Sequence, residues 1–475
     1  MTRSGQARRV AGALLAGVLL ATLAGNAWAI NNPRRRPGPV KPEYRTDAVA
    51  FQTENRTHDV GNLWITITNW GYFGNVSPGN SSALLDPCTN DWSVQAEFPG
   101  GSGIEYLFRA GLWIGAMIQE EGFLFPRVST GTEGWAGDEE FLPGPEPDNG
   151  IIERSTRQNY FNCLGEFVTS PEAISEQDFI AVYTDTSRVG ADQRPYDDPI
   201  DGPHIPLGIK VTQKSYAWSF NYAQDFIIID YEIENIADNF LRDVYVGLYV
   251  DADVGAIEET DRYTDDICGF QEYYMVPPPP GSVNQDSIRL TINTAYIADN
   301  DGRPTNISSG SDFSAPGVTG TRVVRAPNPR LRTSFNWWIS NGNSALDFGP
   351  AWRDDGSLGD WTTNLGTPEG DSRKYFVLSN REFDFDQIYT NQEEWIRGHP
   401  QKIYNRITGE LLEEHEWKLA SPDNADDLAN GFDTRYLISW GPLGVFDFID
   451  QQGNPVYRLN PGEKFSMTIA YVAGD

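Results

Sequence analysis

The residues with the most chemical potential lie in "DVYVGLYVDADVGAIEETDRYTDDICGF", residues 243–270. An apolar alternation of Val244, Val246, Leu248 and Val250 runs into Asp251, Asp253, Glu258, Glu259, Asp261, Asp265 and Asp266. Residues two apart on a strand share a face, so Asp251 and Asp253 project together. Carboxylates held side by side raise each other's pKa unless something positive lies between them. A hard divalent ion meets that need, because Ca2+ takes roughly six to eight oxygens from carboxylates and carbonyls. The EF-hand pattern does not fit: counted from Asp251, Gly255 falls one place early, and Arg262 stands where a bidentate Glu is required. The expectation is an irregular Ca2+ loop site. Asp251 and Asp253 are its first ligands, with Asp261, Asp265 and Asp266 completing the shell. A solvated acidic loop is the alternative. "DNDG" at 299–302 is a second, weaker site of the same kind, since those residues also make ordinary turns.

Other chemistries have less to work with. There is no G-x-S-x-G elbow, H-E-x-x-H helix, P-loop or dinucleotide fingerprint. The four histidines, His58, His204, His399 and His415, read as surface or turn residues. Glycosidases need two acids about 5 to 10 Å apart, and Asp384 with Asp386, or Glu393 with Glu394, offer such pairs. The 14 Trp and 21 Tyr sit partly in turn-rich contexts such as "FNWWISNG" and "GDWTTN". That makes Trp337, Trp338 and Trp361 the residues to stack on a sugar ring. At most one of Trp337 and Trp338 faces a core unless the sheet is covered on both sides. A carbohydrate-binding module or a glycoside hydrolase is therefore the alternative class of function.

The chain as a whole bounds the compartment. Residues 1–29 read as a signal peptide, with Arg3, Arg8 and Arg9, the apolar "VAGALLAGVLLATLAG", and "AWA" at the cleavage site. Cleavage removes three arginines and no acids, taking the net charge from −31 to −34. Such a surface repels nucleic acid and anionic membranes. No later stretch is apolar for long enough to span a bilayer. Cys88, Cys163 and Cys268 allow one disulfide and one thiol, with the pairing open.

The elements that must position these residues are strands. Residues 30–45 form a Pro- and Arg-rich extended leader. "NLWITITNWGYFGN" alternates, and "YLFRAGLWIGAMI" is an apolar run suited to a strand buried on both faces. "FIIIDYEIEN" turns Ile227, Ile229, Tyr231 and Ile233 inward. With "DVYVGLYVDADVG" it reads as a pair of neighbouring antiparallel strands in a half-solvated sheet. "VPPPPG" at 276–281 is the best break in the chain. The fold class is all-β with few short helices. It is either a large antiparallel β-sandwich, or two packed β-sandwich domains at 46–275 and 282–475.

The segments "YEIEN", "VYVGLYVDADVG", "GLWIGA" and "PGEKFSMTIAYVAG" resemble a β segment of large secreted surface proteins in Bacteroidetes-like and candidate-phylum bacteria. There it stands beside subtilisin-type proteases or sorting domains. The resemblance implies an extracellular, non-catalytic β domain. The resulting expectation is a secreted or cell-surface structural or adhesive protein, stabilised by Ca2+, whose partners are surface glycans or other envelope proteins.

Overall fold

The computed structural model describes residues 52–474 apart from 76–83, 121, 134–138, 146, 148, 189–196, 199–201, 258, 260, 283–285, 304–313, 328–330, 340–345, 353–367, 369, 405–409 and 452. The signal peptide and leader read at 1–29 and 30–45 lie outside the described residues, as do Trp361 and Glu258. β-branched and aromatic side chains suit a pleated, half-buried surface, and the runs rich in them form the strands. The principal elements are β1 (Trp64–Thr68), β2 (Ile104–Tyr106), β3 (Arg109–Glu120), β4 (Phe123–Thr130), β5 (Gln177–Asp185), β6 (Ile209–Ala217), β7 (Phe226–Asn235) and β8 (Leu241–Asp251). They continue with β9 (Val254–Ala256), β10 (Asp266–Val276), β11 (Ile288–Asp299), β12 (Val318–Arg325), β13 (Arg332–Ile339), α1 (Asp371–Ser379), β14 (Thr434–Leu443) and β15 (Lys464–Gly474).

Two antiparallel sheets result. One runs β3, β8, β14, β13, with β4 also on β3 and with β1, β2 and β9 reached through short strands. The other runs β10, β11, β12, β15, β7, β6, β5. Their inner faces meet in one apolar core. Leu112, Ile114, Val246, Leu248, Val250, Tyr436 and Ile438 supply one side; Ile227, Ile229, Tyr231, Val211, Tyr183, Met467 and Ile469 supply the other. The fold is an all-β sandwich.

The structure corrects two expectations about the strands. β7 and β8 are not neighbours. β7 pairs with β6 and β15, β8 pairs with β3 and β14, and residues 236–240 carry the chain from one sheet to the other. Alternation reports a face, not a pairing partner. Nor is β8 half-solvated. A second cluster of Trp113, Val128, Tyr245, Tyr249, Trp338 and Leu437 lies on the outer face beneath Val377 and Leu378 of α1. Gly115 and Gly247 allow that approach, since a Cβ at either would come within 2.8 Å of Leu378.

Strands on both sides of Pro277–Pro280 share both sheets, so the proline run does not separate two domains at 46–275 and 282–475. The described residues belong to one compact unit. No helix among them is long and apolar enough to cross a membrane.

Candidate functional site

β8 delivers Asp251 into a row of cross-strand partners, Arg109–Asp251–Arg435–Trp338, on β3, β8, β14 and β13. Asp251 is buried, and Arg435 Nε donates to its Oδ1 at 2.9 Å. A second guanidinium nitrogen of Arg435 donates to Asp433 Oδ1 at 2.5 Å. Burial pushes Asp433 up to about 7, with Arg435 opposing the rise and Asp251 adding to it. An arginine in an otherwise uncharged strand thus receives the acid at the end of its neighbour. Arg435, the one cation inside "DTRYLISWG", is the signal that could have located it.

A second arginine holds the loop beyond. Arg262 donates to Gln95 Oε1 at 2.6 Å and to Glu105 Oε2 at 3.3 Å, and its Nε lies 3.6 Å from Asp253 Oδ2. Burial nevertheless raises Asp253 to about 8, against Arg262 and with help from Asp251 and Asp433. Asp266, the first residue of β10, is fully buried. Its Oδ1 accepts from the Val254 backbone N–H at 3.2 Å, while its Oδ2 has no hydrogen-bond partner. Burial and then Asp253 hold its pKa well above the carboxylate range.

Of the five acids expected to act together, Asp251, Asp253 and Asp266 share this edge, and Asp251 is engaged by Arg435. Asp265 is half-buried beside Asp266, and Asp261 is exposed in a turn. Among the described residues no three His, Cys, Asp or Glu side chains converge to hold a metal ion. In "DNDG", Asp299 Oδ1 caps the turn by accepting from the N–H groups of Asp301, at 2.8 Å, and Gly302.

The tryptophans read as sugar platforms are placed differently. Trp337 and Trp338 are both fully buried, because the sheet is covered on both sides. Trp337 packs in the inner core with Nε1 donating to Phe385 O at 2.6 Å, and Trp338 packs under α1. Neither offers a ring to a ligand. Asp384 and Asp386, read as an acid pair, each accept a backbone N–H instead. Asp384 Oδ2 accepts from Trp337 N at 3.0 Å, and Asp386 accepts from Phe270 N at 2.8 Å and Tyr296 Oη at 3.3 Å.

Sequence reasoning missed two buried histidines. His204 lies between Glu140 and Asp185, with Nδ1 2.9 Å from one and Nε2 2.9 Å from the other. Ser129 Oγ donates to Asp185 at 2.5 Å, and Thr130 N donates to Glu140 at 2.7 Å. His58 contacts Gln177 Oε1 at 3.2 Å and Ser215 Oγ at 2.7 Å. Nothing in the local pattern around either histidine announces burial. Cys88 and Cys163 form the disulfide, and Cys268 is a buried thiol.

No protein-family model and no curated protein matches the sequence. Similar solved structures include a galactose mutarotase related enzyme from Lactobacillus acidophilus, at 8% identity and TM-score 0.29, covering 89% of this chain and 98% of that one. A putative aldose 1-epimerase from Escherichia coli K12 gives 9% identity and TM-score 0.25, over 89% and 99%. A copper-containing benzylamine oxidase from Hansenula polymorpha gives 8% and 0.26, over 93% and 63%. Likeness at this level assigns neither activity nor ligand.

Proposed function

We propose that this chain is an exported or cell-surface, non-catalytic β-sandwich with a structural or adhesive role, and that Ca2+ ties down its acidic edge. Support comes from how the reactive side chains are used. Asp251, Asp384 and Asp386, with His58 and His204, are taken up by hydrogen bonds and ion pairs that tie strands and loops together inside the molecule.

The observation that carries the cation is Asp266 Oδ2, buried and without a hydrogen-bond partner, on a carboxyl that Asp253 repels. A buried, uncompensated carboxylate costs several kcal/mol. A divalent ion between Asp253 and Asp266 removes that cost, with loop carbonyls and water filling the remaining positions. Export rests on the signal read at residues 1–29, and the partners would be surface glycans or other envelope proteins.

Thermal melting of the chain from residue 30 onward, in millimolar Ca2+ and in chelator, tests the cation. Ligand linkage predicts stabilisation of about 2.7 kcal/mol at a hundredfold excess over Kd. The Asp253→Asn, Asp266→Asn double variant should melt at one temperature in both buffers. Identical wild-type melting with and without Ca2+ overturns the metal.

A further inference from the structure

Several large aromatics are exposed on loops that hydrogen bonds and the disulfide hold in place. Leu85 and Trp92 bridge across a turn whose tip carries Cys88, and Asp86 Oδ1 accepts from the N–H groups of Cys88 at 2.7 Å and Thr89 at 3.1 Å. Trp92 is 66% exposed. Cys88 is bonded to Cys163, at the tip of a second turn that Phe161 and Phe167 bridge. Those two rings stand edge to face at 5.3 Å, and both are more than half exposed.

From Tyr160 the contacts continue. Arg157 stacks over the Tyr160 ring and donates to Glu176 at 3.2 Å. Glu176 in turn accepts from Ser219 N at 2.6 Å and Ser219 Oγ at 2.7 Å. Ser219 opens the loop that bears Phe220 and Tyr222, whose rings are parallel within 9° at 5.6 Å. Tyr222 is 82% exposed. Three aromatic stations are thus linked in series.

Apolar surface left in water forgoes about 25 cal/mol per Å2 of stabilisation, and exposed patches of this kind mark interaction surfaces. Pre-organised loops lose little entropy on binding. Separate ring platforms suit a polymer of repeating rings. Nucleic acid stacks on aromatics too, but its phosphates are repelled by a chain of net charge −31, and Arg157 is already paired with Glu176. Glu166 sits within the turn that Phe161 and Phe167 bridge, and Glu176 holds Ser219 beside Phe220, which disfavours insertion into a bilayer. An uncharged polysaccharide fits these conditions, since it carries apolar sugar faces for the rings and no phosphate or lipid tail.

We infer that Trp92, the Phe161–Phe167 pair and the Phe220–Tyr222 pair form one binding strip for a neutral glycan. This deepens the adhesive reading and rests on it, independently of Ca2+.

The test is affinity electrophoresis of the disulfide-intact chain in gels containing xyloglucan, soluble starch or a β-1,3-glucan, with sedimentation on phosphatidylcholine vesicles as the second arm. At least one polysaccharide should retard the wild type. Trp92→Ala and Tyr222→Ala should each weaken that binding tenfold or more, with melting temperatures unchanged because both rings are exposed. If the wild type is retarded and a variant carrying both Trp92→Ala and Tyr222→Ala equally so, adhesion stands and this strip is wrong. No retardation on any polysaccharide, or vesicle binding without it, overturns the strip outright.

Discussion

Two histidines show how much chemistry a single buried side chain can absorb. Burial opposes the charge on His204, but Glu140 and Asp185 on either side outweigh it and hold its pKa well above the ordinary histidine value. For His58 burial wins, and its pKa falls to about 3 despite the hydrogen bond it makes to Gln177 Oε1. The signs follow from linkage. A base whose pKa is raised by folding contributes stability that is complete below about pH 6.5 and declines as pH climbs toward the folded value. A base whose pKa is depressed makes stability fall as pH drops from about 6.5 toward 3. His58 should stay neutral between about pH 5 and 8, and His204 should still be charged at the pH where an ordinary histidine is half-titrated, which histidine NMR shifts would check. His204→Gln leaves two buried carboxylates without their cation, and the denaturation midpoint should reveal a loss of about 3 to 5 kcal/mol. A loss under about 1 kcal/mol would mean the cluster contributes no more than a surface ion pair.

Elements were legible where one face decides. β7 keeps its alternation, Ile227 through Ile233 inward against half-buried Asp230, Glu232 and Glu234, because one side of it meets the core. β8 was not, because α1 covers the face that its pattern left for solvent, and the approach of a distant helix leaves no mark on a strand's own period. The glycines of "LWIGA" and "VGLYV" were the available trace, since a strand glycine marks close approach. They do not say what approaches. A Cβ on Gly247 would meet Leu378 Cδ2 at 2.8 Å and Leu437 Cδ1 at 2.9 Å. Gly247→Ala should therefore destabilise by about 1 to 3 kcal/mol through overpacking. Leu378→Ala alone should cost about 2 to 5 kcal/mol. In the Leu378→Ala background, where the blocking methyl is gone, the glycine substitution should cost less. Additive costs in a double-mutant cycle would show that α1 does not bear on β8 through this contact.

At the scale of the whole molecule, composition and alternation made the fold class readable, but not which strands pair. β7 takes its partner β15 from more than 200 residues away, Tyr231 lying opposite Met467, and no local signal encodes that register. The acidic edge divides the same way. Its carboxylates were visible, whereas Arg262 and Arg435 reach them only through the fold. Charge then acts at two depths. The net −31 is spread over a surface that repels itself, and self-repulsion destabilises a compact chain. Arg435 with Asp251, and His204 with Glu140 and Asp185, are shielded from solvent and little affected by salt. Raising NaCl shortens the Debye length from about 30 Å at 0.01 M to about 10 Å at 0.1 M, weakening the repulsion while leaving the interior pairs. The melting temperature should therefore climb with NaCl and level off, and Ca2+ at equal ionic strength should add a further increment that Asp253→Asn, Asp266→Asn removes. A melting temperature that falls with NaCl would show that exposed ion pairs such as Arg289 with Glu272, rather than repulsion, govern the surface.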